Sequence, residues 1–349
     1  MNKEALEIIQ SYQGPQIRIM EVCGTHTHEI FKLGIRNILP DSIDLISGPG
    51  CPVCVTPIDF IDEAIMLALE KGCTITTFGD LVRVPGTKLS LAQARARGAK
   101  VKVVYSPLDA VEYARKHQDE QVVFLSIGFE TTTPSDVLTI KEAKDLTNFS
   151  LLTANKTMPM AYEAMKDSCD AFLYPGHVHA IIGTKICEEL RDKEGVSGVV
   201  AGFTASELLT AIAIIVKKVK QGQPFFVNAY PRVVKSEGSL KAQDIIYTYM
   251  EPCDASWRGI GKIAHSGLQL KDAYKAYDAR KVYDLPAIKG KDNPACRCGE
   301  VLRGACKPYD CPVFGKGCTP DHPIGACMVS SEGTCSAYYL YGGLKEWKK

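Results

Sequence analysis

Two short clusters and one long tail hold the residues of this chain that can bind a soft metal or exchange electrons. Near the N-terminus runs Cys23-Gly-Thr-His26-Thr-His28, followed by Cys51-Pro-Val-Cys54. Of the fourteen cysteines, seven fall in the tail, at positions 296, 298, 306, 311, 318, 327 and 335. A thiolate beside a neutral imidazole suits iron, copper or zinc and does not suit magnesium or calcium. His26 is the favoured ligand beside Cys23, because two histidines in i, i+2 spacing on a strand-like loop cannot face the same way without a turn; His28 is left a supporting role. The competing reading makes the histidine a cap of the following helix. Cys51 and Cys54 precede a helix start near Thr56-Pro57. A helix N-terminus lowers a thiol pKa, as thiol–disulfide exchange requires. The same spacing is half of a zinc site, so a redox pair and a metal half-site both stand. In the tail, cysteines hold iron–sulfur clusters in fours. Seven thiols allow one [4Fe–4S] cluster, a neighbouring redox pair and one spare. A zinc site would favour two paired, closely spaced knuckles, which the tail lacks; disulfides are the remaining reading. Spacing alone does not fix which four would hold a cluster. Cys73, Cys169, Cys187 and Cys253 are isolated and read as core thiols, and His117, His265 and His322 carry no pattern.

The elements that must position these residues come next. The chain has 349 residues, 46% hydrophobic and 23% charged, with a formal net charge of +1. Such a length predicts two or three soluble domains. So balanced a charge favours neither nucleic acid nor a membrane surface as partner. No basic segment followed by an apolar one marks a secretory leader, and the apolar run at 208–216 is far short of the ~18–20 residues that span a bilayer. The expected location is cytoplasmic, where dense cysteines bind metal or do redox work. Apolar runs alternating with helical patterns predict parallel sheet with crossover helices. Strands are expected at 17–22, 43–46, 74–78 and 101–105, then at 122–127, 150–154, 171–174 and 198–201. Helices are expected at 57–71, 89–97, 159–167, 180–192, 205–220 and 240–250, with a short amphipathic one at 1–11. The fold class is α/β, with two Rossmann-like parallel-sheet domains of related topology, 1–116 and 117–224, and a C-terminal iron–sulfur domain at 225–349. Ligands in such sheets bind beyond the carboxyl ends of strands. The unusual residues fall at those ends: the two cysteine motifs, Asp80, Glu130 in Gly128-Phe-Glu-Thr-Thr, Asn155-Lys156, His177 and His179, and Thr204 with Glu207. Convergence from two domains suggests one cleft, with Glu130 and His177 as further candidate catalytic groups. No Walker loop and no G-x-G-x-x-G turn is present, so nucleotide binding is not supported.

Taken together, five motifs resemble the HypD family of hydrogenase maturation factors over residues 17–341. They are Cys23-Gly-Thr-His26-Thr-His28, Gly48-Pro-Gly-Cys51-Pro-Val-Cys54, Gly128-Phe-Glu130-Thr-Thr, Pro175-Gly-His177-Val, and the tail from Asn293-Pro-Ala-Cys296-Arg-Cys298 through Met328-Val-Ser-Ser-Glu332-Gly-Thr-Cys335. The resemblance implies a scaffold that assembles the Fe(CN)2CO group of [NiFe]-hydrogenases. It implies a HypC-type chaperone that shares the iron, and HypE, which delivers cyanide made with HypF. Carried onto this chain, Cys23 and His26 would hold the iron, and Cys51 and Cys54 would be a redox pair beside it. The tail would hold a [4Fe–4S] cluster on Cys296, Cys311, Cys318 and Cys335, in a setting similar to ferredoxin:thioredoxin reductase, with Cys298 and Cys327 as the adjacent pair. Cys306 is left out, being outside the family pattern. So read, the protein is a redox-active assembly scaffold rather than a stand-alone turnover enzyme. The residues alone also allow an iron–sulfur thiol–disulfide oxidoreductase acting on a protein disulfide, a zinc hydrolase using Cys23, His26 and His177, or a structural hub.

Overall fold

Two parallel sheets and one antiparallel hairpin organise the chain. The computed structural model describes residues 2–342. The strands are β1 (Ile17–Glu21), β2 (Ile43–Ser47), β3 (Thr74–Thr77), β4 (Val101–Val103), β5 (Val122–Ser126), β6 (Phe149–Thr153), β7 (Ala171–Pro175), β8 (Gly198–Ala201) and β9 (Phe226–Asn228). A long hairpin, β10 (Met250–Trp257) and β11 (Gly261–Leu270), follows. All eight expected strands form. The apolar stretch after residue 224 contributes only the three residues of β9.

The pairing of the strands differs from their order in the chain. One sheet runs β2-β1-β7-β8-β9 and the other β4-β3-β5-β6, both parallel throughout. The first four strands therefore do not form one sheet and the next four another. The expected cut at 116/117 falls between β4 and β5, which belong to the same sheet. Local patterns mark a strand, but its partner is chosen by non-local packing. The chain leaves the first sheet after β2, through the Cys51–Cys54 turn, and returns to it after β6.

Both sheets are covered on both faces, as parallel sheets require. In the first, Ile17, Ile19, Leu45, Leu173 and Val199 face the helices Lys3–Gln10 and Ala205–Val219. Alternate residues Met20, Ile46, Phe172, Tyr174 and Val200 face the other way, into a core shared with tail residues Cys298, Cys311, Cys318, Cys327, Met328, Cys335 and Tyr338. In the second sheet, Ile75, Val123, Leu125 and Leu152 pack on helix Ile58–Leu69. Phe124, Phe149 and Leu151 pack on helices Pro107–Lys116 and Thr133–Glu142 and on the hairpin. Each such side chain contributes about 1.5–3 kcal/mol when fully buried. The expected helix at 180–192 is two, Gly176–Ile182 and Lys185–Glu194, turning at Gly183. The tail holds short helices at Cys298–Leu302 and Thr334–Tyr341 with tight turns between. The second of these rests on helix Gly24–Lys32, where Phe31 meets Tyr338 edge-on at 4.5 Å. Among the described residues, no helix is long and apolar enough to cross a membrane.

Candidate functional site

Cys23 caps a helix rather than lying on a loop. It is the N-cap of Gly24–Lys32, so His26 and His28 sit on that helix about 200° apart. The two rings therefore leave opposite sides of the element, for a helical rather than a strand-like reason. His26 is fully buried, and its Nε2 lies 3.0 Å from the Gly202 carbonyl oxygen. A carbonyl can only accept, so Nε2 carries the proton and Nδ1 presents a lone pair. That Nδ1 has no hydrogen-bond partner among the described residues. Burial drives the His26 pKa down to about 4, which keeps the ring neutral. Burial also lifts the Cys23 thiol to about 12, partly offset by the backbone N–H groups of His26 and Thr25. His28 is turned outward, its Nδ1 3.3 Å from Ser331 O and its Nε2 3.4 Å from the Tyr341 hydroxyl.

The second motif abuts the first backbone to backbone. Gly24 N–H donates to Gly50 O at 3.0 Å, and a Cβ on Gly50 would stand 2.2 Å from Cys23 N. Only glycine allows the two turns to meet so closely. Cys51 caps the single helical turn Pro52–Val55, and Cys54 N–H donates to Cys51 Sγ at 3.4 Å. The long helix starts later, at Ile58, so it is this separate turn that holds the pair. Both thiols are buried, and burial followed by contacts with Cys327 and Cys51 raises the Cys54 pKa.

Cys327 joins this turn to the tail. The thiols of Cys298, Cys335 and Cys54 crowd around it, and their contacts lower its pKa. Cys335 is pushed up by its contacts with Cys298 and Cys327 and by burial. Cys296 is raised by Cys298 and then by burial. Cys318 is raised by burial, with Cys296 and Cys298 among its charged neighbours. A Cβ on Gly325 would lie 2.5 Å from the sulfurs of both Cys296 and Cys298. Cys311 is buried in the same core, with its thiol 3.9 Å from Ala295 O. Cys306 stands apart and half-exposed, near Arg297, Glu300 and Asp310. Among the described residues all fourteen cysteines are free thiols, and no three His, Cys, Asp or Glu side chains form a ready single-ion site.

The remaining candidates are placed less closely. His177 stacks on Phe203 at 3.9 Å, and Phe203 also meets the His26 ring at 4.7 Å. An aromatic ring therefore separates the two imidazoles. Glu130 is buried, accepts from Met158 N–H at 2.9 Å, and is raised by burial to about 7. Its charge is felt by Tyr162, which also feels Cys23. Asp80 opens the turn Gly79–Arg83, whose Arg83 reaches the tail carbonyls of Pro320 and Val329. Glu207 forms a capping box with Thr204 and pairs with Arg232 at 2.8 Å, a structural use.

Three residues at the centre carry no sequence signal of their own. Phe203 lies between two histidines. Glu332 accepts from Thr25 Oγ1 at 2.7 Å and sets a carboxylate beside Cys23, inside a tail motif notable only for its cysteine. Arg258, at the hairpin turn, is 6% exposed, donates from its backbone to Val55 O at 2.9 Å, and places its guanidinium near Cys296.

Fold and site together define an α/β protein whose strand-end turns and tail close around a buried thiol centre. The HypD sequence profile, described as "Hydrogenase formation hypA family", matches residues 1–342. The chain is 42% identical to "Hydrogenase maturation factor HypD" of Rhodobacter capsulatus over 340 residues, covering 94% of this chain and 90% of that protein. It is 44% identical to "Putative hydrogenase expression/formation protein MJ0993" of Methanocaldococcus jannaschii over 332 residues, 93% of this chain and 92% of that one. Against "Hydrogenase maturation factor HypD" of Escherichia coli it is 43% identical over 332 residues, 93% and 89% of the two chains. The chain belongs to the HypD family of hydrogenase maturation factors.

Proposed function

We propose that the protein assembles the Fe(CN)2CO group of [NiFe]-hydrogenases, with the iron as its cargo on Cys23 and His26 and with Cys51 and Cys54 as the electron-passing pair. The observation that carries this reading is the run of thiols linking the tail to the Cys51 turn: Cys298 touches Cys327, and Cys327 touches Cys54. The turn in turn abuts Cys23. His26 supports the cargo site, with one ring nitrogen fixed by a carbonyl and the other free, the usual arrangement of a metal-binding imidazole.

The tail fits a [4Fe–4S] cluster on the chemistry of its donors, buried cysteines gathered in one core, and on the close approach of the Cys296 and Cys298 sulfurs to Gly325, where any Cβ would press on both. Cys296, Cys311, Cys318 and Cys335 are the proposed ligands, with Cys298 and Cys327 as the adjacent redox pair. Such a cluster, when bound, supplies single electrons. Releasing cyanide from a thiocyanate-type donor, R–S–CN, requires two electrons. Oxidation of Cys51 and Cys54 to a disulfide supplies both; R–S–CN becomes R–SH and cyanide, and one proton is left over. In this reading Cys298 and Cys327 then reduce the Cys51–Cys54 disulfide back to two thiols, becoming a disulfide themselves, which two electrons and two protons return to thiols. The proposed partners are a HypC-type chaperone, which would share the iron, and HypE, which would bring the cyanide. Glu130 and His177, which follow strands of the two different sheets, are proposed as proton-holding groups rather than iron ligands.

Cys51→Ala tests the reading. The variant is expected to stay folded and to keep its tail iron and sulfide, yet to fail to mature hydrogenase. Normal maturation would remove the redox role. Turnover of a general protein disulfide by the isolated protein would point instead to a stand-alone oxidoreductase.

A further inference from the structure

A second pocket, with none of the thiol centre's cysteines in its lining, opens at the carboxyl end of β6. Its volume is about 300 Å3, and it lies between β6, the start of helix Ile58–Leu69, the hairpin and Arg280. Strand ends of this kind are where α/β sheets take ligands, and the size is at the small end of ligand pockets. Lys156 lines it and is only 3% exposed. Its ammonium donates to Ala154 O at 3.3 Å and lies 5.6 Å from the Trp257 ring centre, and no carboxylate among the described residues pairs with it. The other cation of the pocket is already matched: Arg280 holds Glu63 through Nε at 3.0 Å and Nη2 at 2.7 Å, and donates from Nη1 to Thr153 O at 2.9 Å. A buried ammonium with one carbonyl and one ring face is poorly compensated. The pocket is not short of carboxylates; what the ammonium lacks is one within ion-pairing distance, Asp59 being felt only from farther off.

We propose that this pocket binds a small, singly charged carboxylate whose oxygens meet the ammonium of Lys156. Asp59, Glu63 and Asp254 line the same space and oppose a doubly charged ligand such as phosphate. Ser256 lines it as well, a residue whose hydroxyl is a second possible donor. The groups around Lys156 are Asp59 and Glu63 from the helix, Cys253 and Asp254 from β10, and Arg280 from the opposite wall. Burial lowers the Lys156 pKa to about 8, opposed by Asp59. The bound anion requires the ammonium, so affinity falls as pH rises through about 8.

The test is calorimetric titration of the full-length, cluster-bearing protein with acetate and, separately, with inorganic phosphate. Saturable acetate binding tighter than phosphate is expected, weakened about tenfold to a hundredfold in Lys156→Met. The same titration across a pH series on the unsubstituted protein reads the site without any mutation, and binding is expected to fade above about pH 8. Absence of saturable acetate binding, equal binding by the variant, tighter phosphate binding, or a flat pH series would each overturn the proposal.

Discussion

Burial sets two opposed titrations among the side chains of the strand ends. Glu130 is lifted from 4.5 to about 7, while His26 is lowered from 6.5 to about 4. Glu130 binds a proton more readily when folded, so its share of stability is full below about 4.5 and is lost as pH rises through about 7. His26 behaves in reverse: its share is full above about 6.5 and is lost as pH falls toward about 4. Glu130→Gln is therefore expected to remove part of the stability lost between about pH 5 and about pH 8, on the order of 3 kcal/mol. Urea midpoints at the two pH values read this directly; an unchanged difference would mean that Glu130 is ionised in the folded state. At Cys23 burial lifts the thiol to about 12, so the iron binding proposed there would have to displace its proton. Iron uptake in weak buffer is expected to acidify the solution, and Cys23→Ala to abolish that part of the release.

Turns, rather than long helices or strands, fix the centre. Gly50→Ala would drive a methyl into the backbone of Val22 and Cys23, which cannot swing aside. A loss of about 2 kcal/mol or more is expected, measured by denaturant unfolding. Gly325→Ala would push on the sulfurs of Cys296 and Cys298 instead. It is expected to leave far-ultraviolet circular dichroism unchanged while iron and sulfide content falls; full retention of both would argue against a cluster at that place. At this scale the sequence was readable wherever apolar runs were continuous, as in the wholly buried Val122–Ser126. The hairpin at 250–270 escaped because β10 carries Glu251, Pro252, Cys253 and Asp254 in succession and buries only its ends. That the helix after Cys23 begins as early as Gly24 escaped because Gly24 and the threonines and histidine of its first turn are poor helix formers. The cysteines themselves announced the site. Phe203, Glu332 and Arg258 did not, since each reaches it only through contacts distant in sequence.

Across the whole molecule, the tail does more than carry cysteines, for it covers one face of the first sheet. Removing residues 284–342 would uncover Met20, Ile46, Phe172 and Tyr174. The truncated protein is expected to bind hydrophobic dyes and to aggregate, as judged by fluorescence and light scattering; a soluble, cooperatively melting product would show that the sheet is sufficient alone. The interleaving of the two sheets was not legible in the sequence, because nothing local tells β1 that its neighbour is β7. That interleaving also orders events at the ribosome. β1 and β2 emerge early, but the strand that locks them begins at Ala171. At about 5–20 residues per second, Cys23, Cys51 and Cys54 leave the ribosome on the order of ten seconds before that strand does. The tail thiols that later enclose them are made last. The nascent chain, more than the finished protein, is thus the form in which these three thiols meet the oxidants of the cell.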